Sequence, residues 1–171
     1  GGATTLKDAN DLTVNLTTSG STALTAGGDL TVDGTVSGAT SDLTTVAAAT
    51  SFGATTVGQD LSVTATGAVI DTGKLAVTGT TAISAAGQTV TLNDAANDFT
   101  KEVTVIGGAT TLNDVNDLTA TLTTSGATAL TAGGALTLDG TVSGATSDLT
   151  TDAAATSFGA TTVGQNLSVT A

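Results

Sequence analysis

Asp11-Leu12-Thr13-Val14, Asp29-Leu30-Thr31-Val32, Asp60-Leu61-Ser62-Val63 and Lys74-Leu75-Ala76-Val77 carry the information that decides the fold. Each opens on a charged residue and then alternates an apolar side chain with a small or hydroxyl-bearing one. Successive side chains of an extended chain point to opposite faces, so this period of two describes a strand with one face buried. Gln88-Thr89-Val90-Thr91-Leu92 and Glu102-Val103-Thr104-Val105 continue the pattern. Leu, Val and Ala are expected to point inward, and Thr, Asp and Asn to face water. Leu12, Leu30, Leu61, Leu118, Leu136 and Leu167 are the predicted interior anchors. The β-branched Thr and Val favour strands, and Gly every few residues would penalise any helix. Turn signals fall between the strands at Ser19-Gly20, Gly27-Gly28, Ser37-Gly38, Phe52-Gly53 and Gly107-Gly108.

Residues 1–65 return almost letter for letter as residues 107–171, an offset of 106. Lys7/Asn113, Asp29/Ala135, Val46/Asp152 and Asp60/Asn166 are among the few mismatches. The chain reads as one continuous solenoid over 1–171, with a first super-repeat at 1–106 and a partial second at 107–171. Leu12 to Leu30 and Leu118 to Leu136 are each 18 residues apart. Coils of roughly 15–21 residues follow, about six per super-repeat, with five or seven also compatible. The prediction is an all-β parallel β-helix. Its rival, an antiparallel sandwich, needs tight hairpin turns, and Asp-Gly pairs occur only at Asp33-Gly34 and Asp139-Gly140. Neither end carries a recognisable capping repeat. The chain opens at Gly1-Gly2 without Met or signal peptide, as expected of a processed product or a piece of something longer.

Composition narrows function by exclusion. Pro, Cys, Met, Trp, Tyr, His and Arg are absent, and Thr supplies about a quarter of the residues. So narrow an alphabet belongs to repeat or fibrous proteins, because a globular core needs large and small side chains together. Mean hydropathy of +0.32 and 39% hydrophobic residues favour order over disorder. The net charge is −12, with Lys7, Lys74 and Lys101 the only cations. Such a field repels nucleic acid and anionic lipid. No run of 18 apolar residues exists, so no membrane insertion is expected.

No enzyme activity and no cofactor are expected: His, Cys, Arg and Tyr are missing, and carboxylate dyads, which could work alone, are set against the way the Asp residues recur at one pre-strand place. Asp residues before strands are discarded between copies, which suits solvated turns. The Asx-rich corners at 8–11, 93–98 and 113–117 cluster hard oxygens of the kind Ca²⁺ takes. Asp94, Asp98, Asp114 and Asp117 are therefore the candidate calcium ligands, set against the plainer reading that Asx side chains bond their own turns. Ice binding needs a Thr-x-Thr pair at one position of successive coils. Thr64-Ala65-Thr66, Thr89-Val90-Thr91 and Thr119-Ala120-Thr121 are too scattered for that. The Asn-x-Ser/Thr triplets at Asn15 and Asn166 each occur in one copy only. Phe52 and its equivalent Phe158 are expected to plug the core.

The run from Leu75-Ala76-Val77-Thr78-Gly79 through Asn93-Asp94-Ala95-Ala96-Asn97-Asp98-Phe99 resembles the repeat region of filamentous-haemagglutinin-like bacterial surface adhesins. So does Val103-Thr104-Val105-Ile106-Gly107-Gly108 with the Asx corner that follows it. The resemblance implies a right-handed parallel β-helix serving as an extracellular stalk, adhesin or filament on the bacterial surface. It also implies end-to-end contact with further repeats or with other copies, and a host-surface or matrix ligand bound elsewhere. A self-assembling sheath or matrix fibre of stacked copies is the alternative.

Overall fold

Short alternating runs broken by Gly or Asx cannot hold a helix, and without hairpin turns they cannot fold back on themselves. They coil instead. The computed structural model describes residues 2–38 and 40–171. The strands are β1 (Thr4–Asp8), β2 (Leu12–Thr18), β3 (Thr22–Ala26), β4 (Leu30–Val36), β5 (Leu43–Ala47), β6 (Thr50–Val57), β7 (Leu61–Ala65), β8 (Val69–Asp71) and β9 (Leu75–Val77). They continue as β10 (Thr81–Ser84), β11 (Val90–Leu92), β12 (Asp98–Phe99), β13 (Val103–Gly107), β14 (Thr110–Asp114), β15 (Leu118–Thr124), β16 (Thr128–Val142), β17 (Leu149–Val163) and β18 (Leu167–Thr170). No helix occurs among the described residues, and every strand pairing is parallel. The chain makes about nine turns of a β-solenoid, with coils about 19 residues apart.

The pairings sort the strands into columns that run along the solenoid axis. The first column is β1, β3, β5, β7, β10 and β13, followed by the second part of β15. The second begins with the opening residues of β2, β4 and β6 and continues through β8, β11, β14, β16, β17 and β18. The later residues of β2, β4 and β6 start a third column, which β9 and β12 continue.

This arrangement corrects the coil count expected from sequence. Thr4–Asp8 opens the first column, yet its repeat equivalent Thr110–Asp114 lies in the second. The 106-residue unit therefore spans five coils plus one strand position. Corner lengths between strands set that phase, and they vary from two residues at 48–49 to six at 37–42. Equivalent residues of successive copies consequently look out from different faces.

The core is a set of stacked ladders. Leu24, Leu30, Leu43, Leu61, Leu75, Leu92, Leu112, Leu118, Leu130 and Leu136 are all buried, with Phe52 and Phe99 as the largest plugs. Of the predicted anchors, Leu30, Leu61, Leu118 and Leu136 are fully inside. Leu12 is half-buried, and Leu167 is 50% exposed on β18, which pairs within the chain only with β17. Phe158 is also only partly buried.

The expectation that Thr faces water holds for the outer rows and fails inside. Thr22, Thr45, Thr50, Thr55, Thr81, Thr110, Thr124, Thr128 and Thr151 are buried. Thr has nearly the volume of Val, so it fits the ladder, and its hydroxyl can bond nearby. Thr18 and Thr22 share a hydroxyl bond of 2.9 Å, as do Thr124 and Thr128. Thr55 Oγ1 donates to the Val32 carbonyl at 3.0 Å.

Two turn signals also resolve differently. Phe52-Gly53 lies inside β6, and the Asp-Gly pairs sit within β4 and β16. Gly34 and Gly140 adopt φ of 105° and 119°, where a side chain is strained. A Cβ at either would also strike the backbone of Leu16 or Leu122 in the coil before. These pairs bend a strand round a corner rather than close a hairpin.

Candidate functional site

The polar side chains with the most structure around them lie where the second column turns into the third, over three successive coils at Asp71, 93–98 and 113–117. Asn97 sits at the centre and is fully buried. Its Oδ1 accepts the Leu75 amide at 2.7 Å, and its Nδ2 donates to Asp71 Oδ2 at 2.6 Å. Asp71 also accepts the amides of Asn93 and Asp94 at 3.0 and 3.1 Å. The Asn97 carbonyl in turn accepts the Val115 amide at 2.9 Å. One residue thus ties three coils together, through its side chain to the coil before and its carbonyl to the coil after, and a buried amide so paired stabilises rather than penalises the fold.

The four candidate calcium ligands are drawn into the same corner, where three of them spend their oxygens on the backbone and Asp98 on side chains. Asp94 Oδ1 accepts the Ala96 amide at 2.8 Å, and Asp114 Oδ1 accepts the Asn116 amide at 2.9 Å. Both are Asx turns. Asp114 Oδ2 also accepts the Phe99 amide at 3.1 Å. Asp117 Oδ1 accepts the Ala135 amide at 2.8 Å in the next coil. Asp98 faces Lys74 Nζ at 3.8 Å and accepts from Asn116 Nδ2 at 3.4 Å. No group of three or more carboxylates gathers as a metal site among the described residues.

Burial, opposed by its two amide bonds and reinforced by neighbouring Asp98 and Asp117, raises the pKa of Asp114. Asp60 moves the other way. The Thr80 amide, at 2.7 Å, and then the Thr80 hydroxyl, at 2.9 Å, hold its carboxyl below the ordinary range. The pre-strand Asp residues share this device: Asp11 accepts the Asp29 amide at 2.9 Å, and Asp42 accepts the Asp60 amide at 3.3 Å. Each is a rung from one coil to the next. Its place recurs because the turn recurs.

The Asp71–Asn97 pair was not singled out from the sequence. The available signal is a corner one residue longer than its neighbour, with Asn93-Asp94-Ala95-Ala96-Asn97 set against Asn113-Asp114-Val115-Asn116. The Thr-x-Thr pairs lie in three different places, around β7, β11 and β15. The remaining surface offers shallow grooves on flat strand faces. One is lined by Thr31, Ser51, Ala68 and Ile70, and another by Ser62, Thr64, Ala82, Ser84, Thr104 and Ile106.

A family model described as repeats of unknown function (DUF5649) matches residues 40–106, somewhat less than half of the chain. No curated protein and no solved structure matches. The matched stretch holds β5 to β13 and the Asp71–Asn97 network. The repeat character of the chain and its β-solenoid fold agree with that match.

Proposed function

We propose that this chain is a non-catalytic, extracellular structural segment of a bacterial surface stalk or filament, which holds whatever it carries at a distance from the cell. The coil-on-coil stacking carries this reading: a parallel ladder runs through the described residues, with polar rungs from each coil to the next. A stack of this kind gains length in proportion to residues, about 4.8 Å per coil. Its Asp residues mostly serve turns and rungs, and His, Cys, Tyr and Arg are missing. The negative charge suits a long object that must stay separate from its neighbours in water. The resemblance to the repeats of filamentous-haemagglutinin-like adhesins points the same way.

Leu6, Leu167 and Val169 support end-to-end contact. They are 39%, 50% and 47% exposed on the outermost coils, whereas their repeat equivalents Leu112, Leu61 and Val63 are at most 1% exposed. A further coil, from the same polypeptide or from another copy, would cover them. Antibody against the chain, used on intact cells and on denatured extracts, tests the proposal. A very large polypeptide labelled at the cell surface is the expected result. A short polypeptide recovered from surface fibres would mean stacked copies, and label confined to the cell interior would overturn both readings.

A further inference from the structure

We propose that the outward face of the first column is a self-association surface on which a second copy of this chain docks, antiparallel, about a two-fold axis. The proposal is independent of the stalk reading. It begins from where charge is absent. Register along the first column stacks the outward residues in two neighbouring rows. One is Ala23, Thr44, Ser62, Ala82, Thr104 and Thr121, and the other is Thr25, Val46, Thr64, Ser84, Ile106 and Thr123. The corner beside them adds Ala48, Thr66 and Ala86. In a chain of net charge −12, the two rows hold no charged residue over six coils, and Glu102 on their rim accepts the Thr121 hydroxyl at 2.6 Å. Two of the few exposed large apolar side chains, Val46 at 42% and Ile106 at 44%, stand on this face.

The order of residues along the rows identifies the occupant. The second row reads Thr, Val, Thr, Ser, Ile, Thr, and is close to a palindrome. A two-fold axis in the plane of the face, running along the strands between the Ser62 and Ala82 coils, sets Val46 against Ile106 of the second copy and Ile106 against its Val46. The same axis sets Thr64 against Ser84 and Thr25 against Thr123. An isologous contact requires this self-complementarity, and a foreign partner does not.

Both ends of the patch carry a charge. Above Thr25 in the second row stands Lys7, below Thr123 in that row stands Thr141, and below Thr121 in the first row stands Asp139. The axis sets Lys7 of each copy against Thr141 of the other, one residue pair, about 6.6 Å, from Asp139, a gap that the long Lys side chain can span. Asp139 Oδ1 accepts the Ala160 amide at 2.7 Å, which leaves Oδ2 to face it. Two rows of six coils with three corner residues make a face of roughly 500 Å² per copy, from a spacing of about 4.8 Å between coils and about 6.6 Å per residue pair. About 1,000 Å² in total lies at the small end for specific interfaces, so the dimer is weak and reversible. The far rim brings Asp42 near Glu102 of the second copy, and each chain is acidic overall. Salt therefore tightens the dimer by screening repulsion.

Sedimentation velocity of the 171-residue chain from micromolar to millimolar concentration, at low and high salt, tests this. A monomer–dimer equilibrium that shifts toward dimer with salt is expected. Val46→Asp weakens it on the order of tenfold or more, and it copies Asp152, which the chain already carries at the equivalent position. Ile106→Thr weakens it less, and Thr35→Asp, the same charge change on the third column, leaves it unchanged. Circular dichroism melting that matches the parent would show that the variants fold. A chain monomeric at every concentration overturns the proposal. So does an association untouched by Val46→Asp and lost in Leu167→Lys, which would be axial stacking. Inhibition of ice recrystallisation by a chain that stays monomeric would overturn it too, and would make the face a water-ordering surface.

Discussion

Leu61-Ser62-Val63-Thr64 and Leu167-Ser168-Val169-Thr170 are the same four residues in the same kind of strand, and they live in different environments. Leu61 and Val63 are each 1% exposed, while Leu167 and Val169 are 50% and 47% exposed. β7 has β5 on one side and β10 on the other, whereas β18 has only β17. Burial in a solenoid is thus supplied by the neighbouring coil rather than by the strand's own sequence. In a quasi-one-dimensional fold each coil's stability is its own term plus two interface terms, and a coil with one neighbour lacks one of them.

The largest consequence concerns the leucines. Leu61→Ala opens a cavity between two coils and should cost about 2–5 kcal/mol. Leu167→Ala removes a side chain that is half in water and should cost less than about 1 kcal/mol. Chemical denaturation followed by circular dichroism measures both. Equal losses would mean that the outer coil is covered in solution, and sedimentation would then identify the cover as a second copy.

A middle-sized effect is expected at two buried positions that the repeat makes equivalent. Thr45 and Thr151 are buried in both copies, and their hydroxyls find no partner. Replacing either by Val exchanges an unpaired hydroxyl for a methyl of similar volume. A gain of roughly 1 kcal/mol at each site is the expected outcome. Here the two copies should behave alike, because both strands are covered on both sides. A loss at Thr45 would mean that a buried water satisfies its hydroxyl.

These contrasts mark what the residues disclose by themselves. The inward set at Leu30, Leu61, Leu118 and Leu136 was legible, because a period of two needs only the local chain. The inward Thr was not, since Thr45 and Thr31 carry the same side chain and differ only in the parity of their strand positions. Val46 departs in the opposite sense, as an apolar side chain on an outward row. The phase of the super-repeat was hidden as well. It depends on corner lengths summed over five coils, and what one residue more at 93–97 does to the phase shows only when the coils are stacked. The Asx clusters were legible as clusters. Their use as rungs to the next coil appears only once Asp71 and Asn97, 26 residues apart, are brought to 2.6 Å.

The smallest effect returns to the paired copies through Asp8 and Asp114. They occupy one repeat position and make the same Asx turn, with Asp8 Oδ1 accepting the Asn10 amide at 2.9 Å and Asp114 Oδ1 the Asn116 amide at 2.9 Å. Asp8 is exposed on the first coil. Asp114 is 4% exposed beneath the coil that holds Phe99. Burial raises the Asp114 pKa against the pull of its two amide bonds. A carboxyl with a raised pKa binds its proton more tightly folded than unfolded, so its contribution to stability is complete below its unfolded pKa. That contribution is lost as pH rises through the folded value. Asp60, with its pKa lowered by Thr80, works in the opposite sense and loses its contribution as pH falls. The two slopes partly cancel in the whole chain, and a single substitution is needed to part them. Asp114→Asn abolishes the titration while keeping one carbonyl oxygen for an amide. Its stability at neutral pH should lie within about 1 kcal/mol of the parent. Relative to the parent, the variant should gain as pH rises from the ordinary carboxylate range toward neutrality. Asp8→Asn serves as the reference substitution, with the same chemistry on the open coil. Thermal melting across that pH range measures the difference. A parent and an Asp114→Asn variant with parallel pH profiles would mean that the Asp114 carboxylate is well solvated, and that the coil above it lifts away in solution.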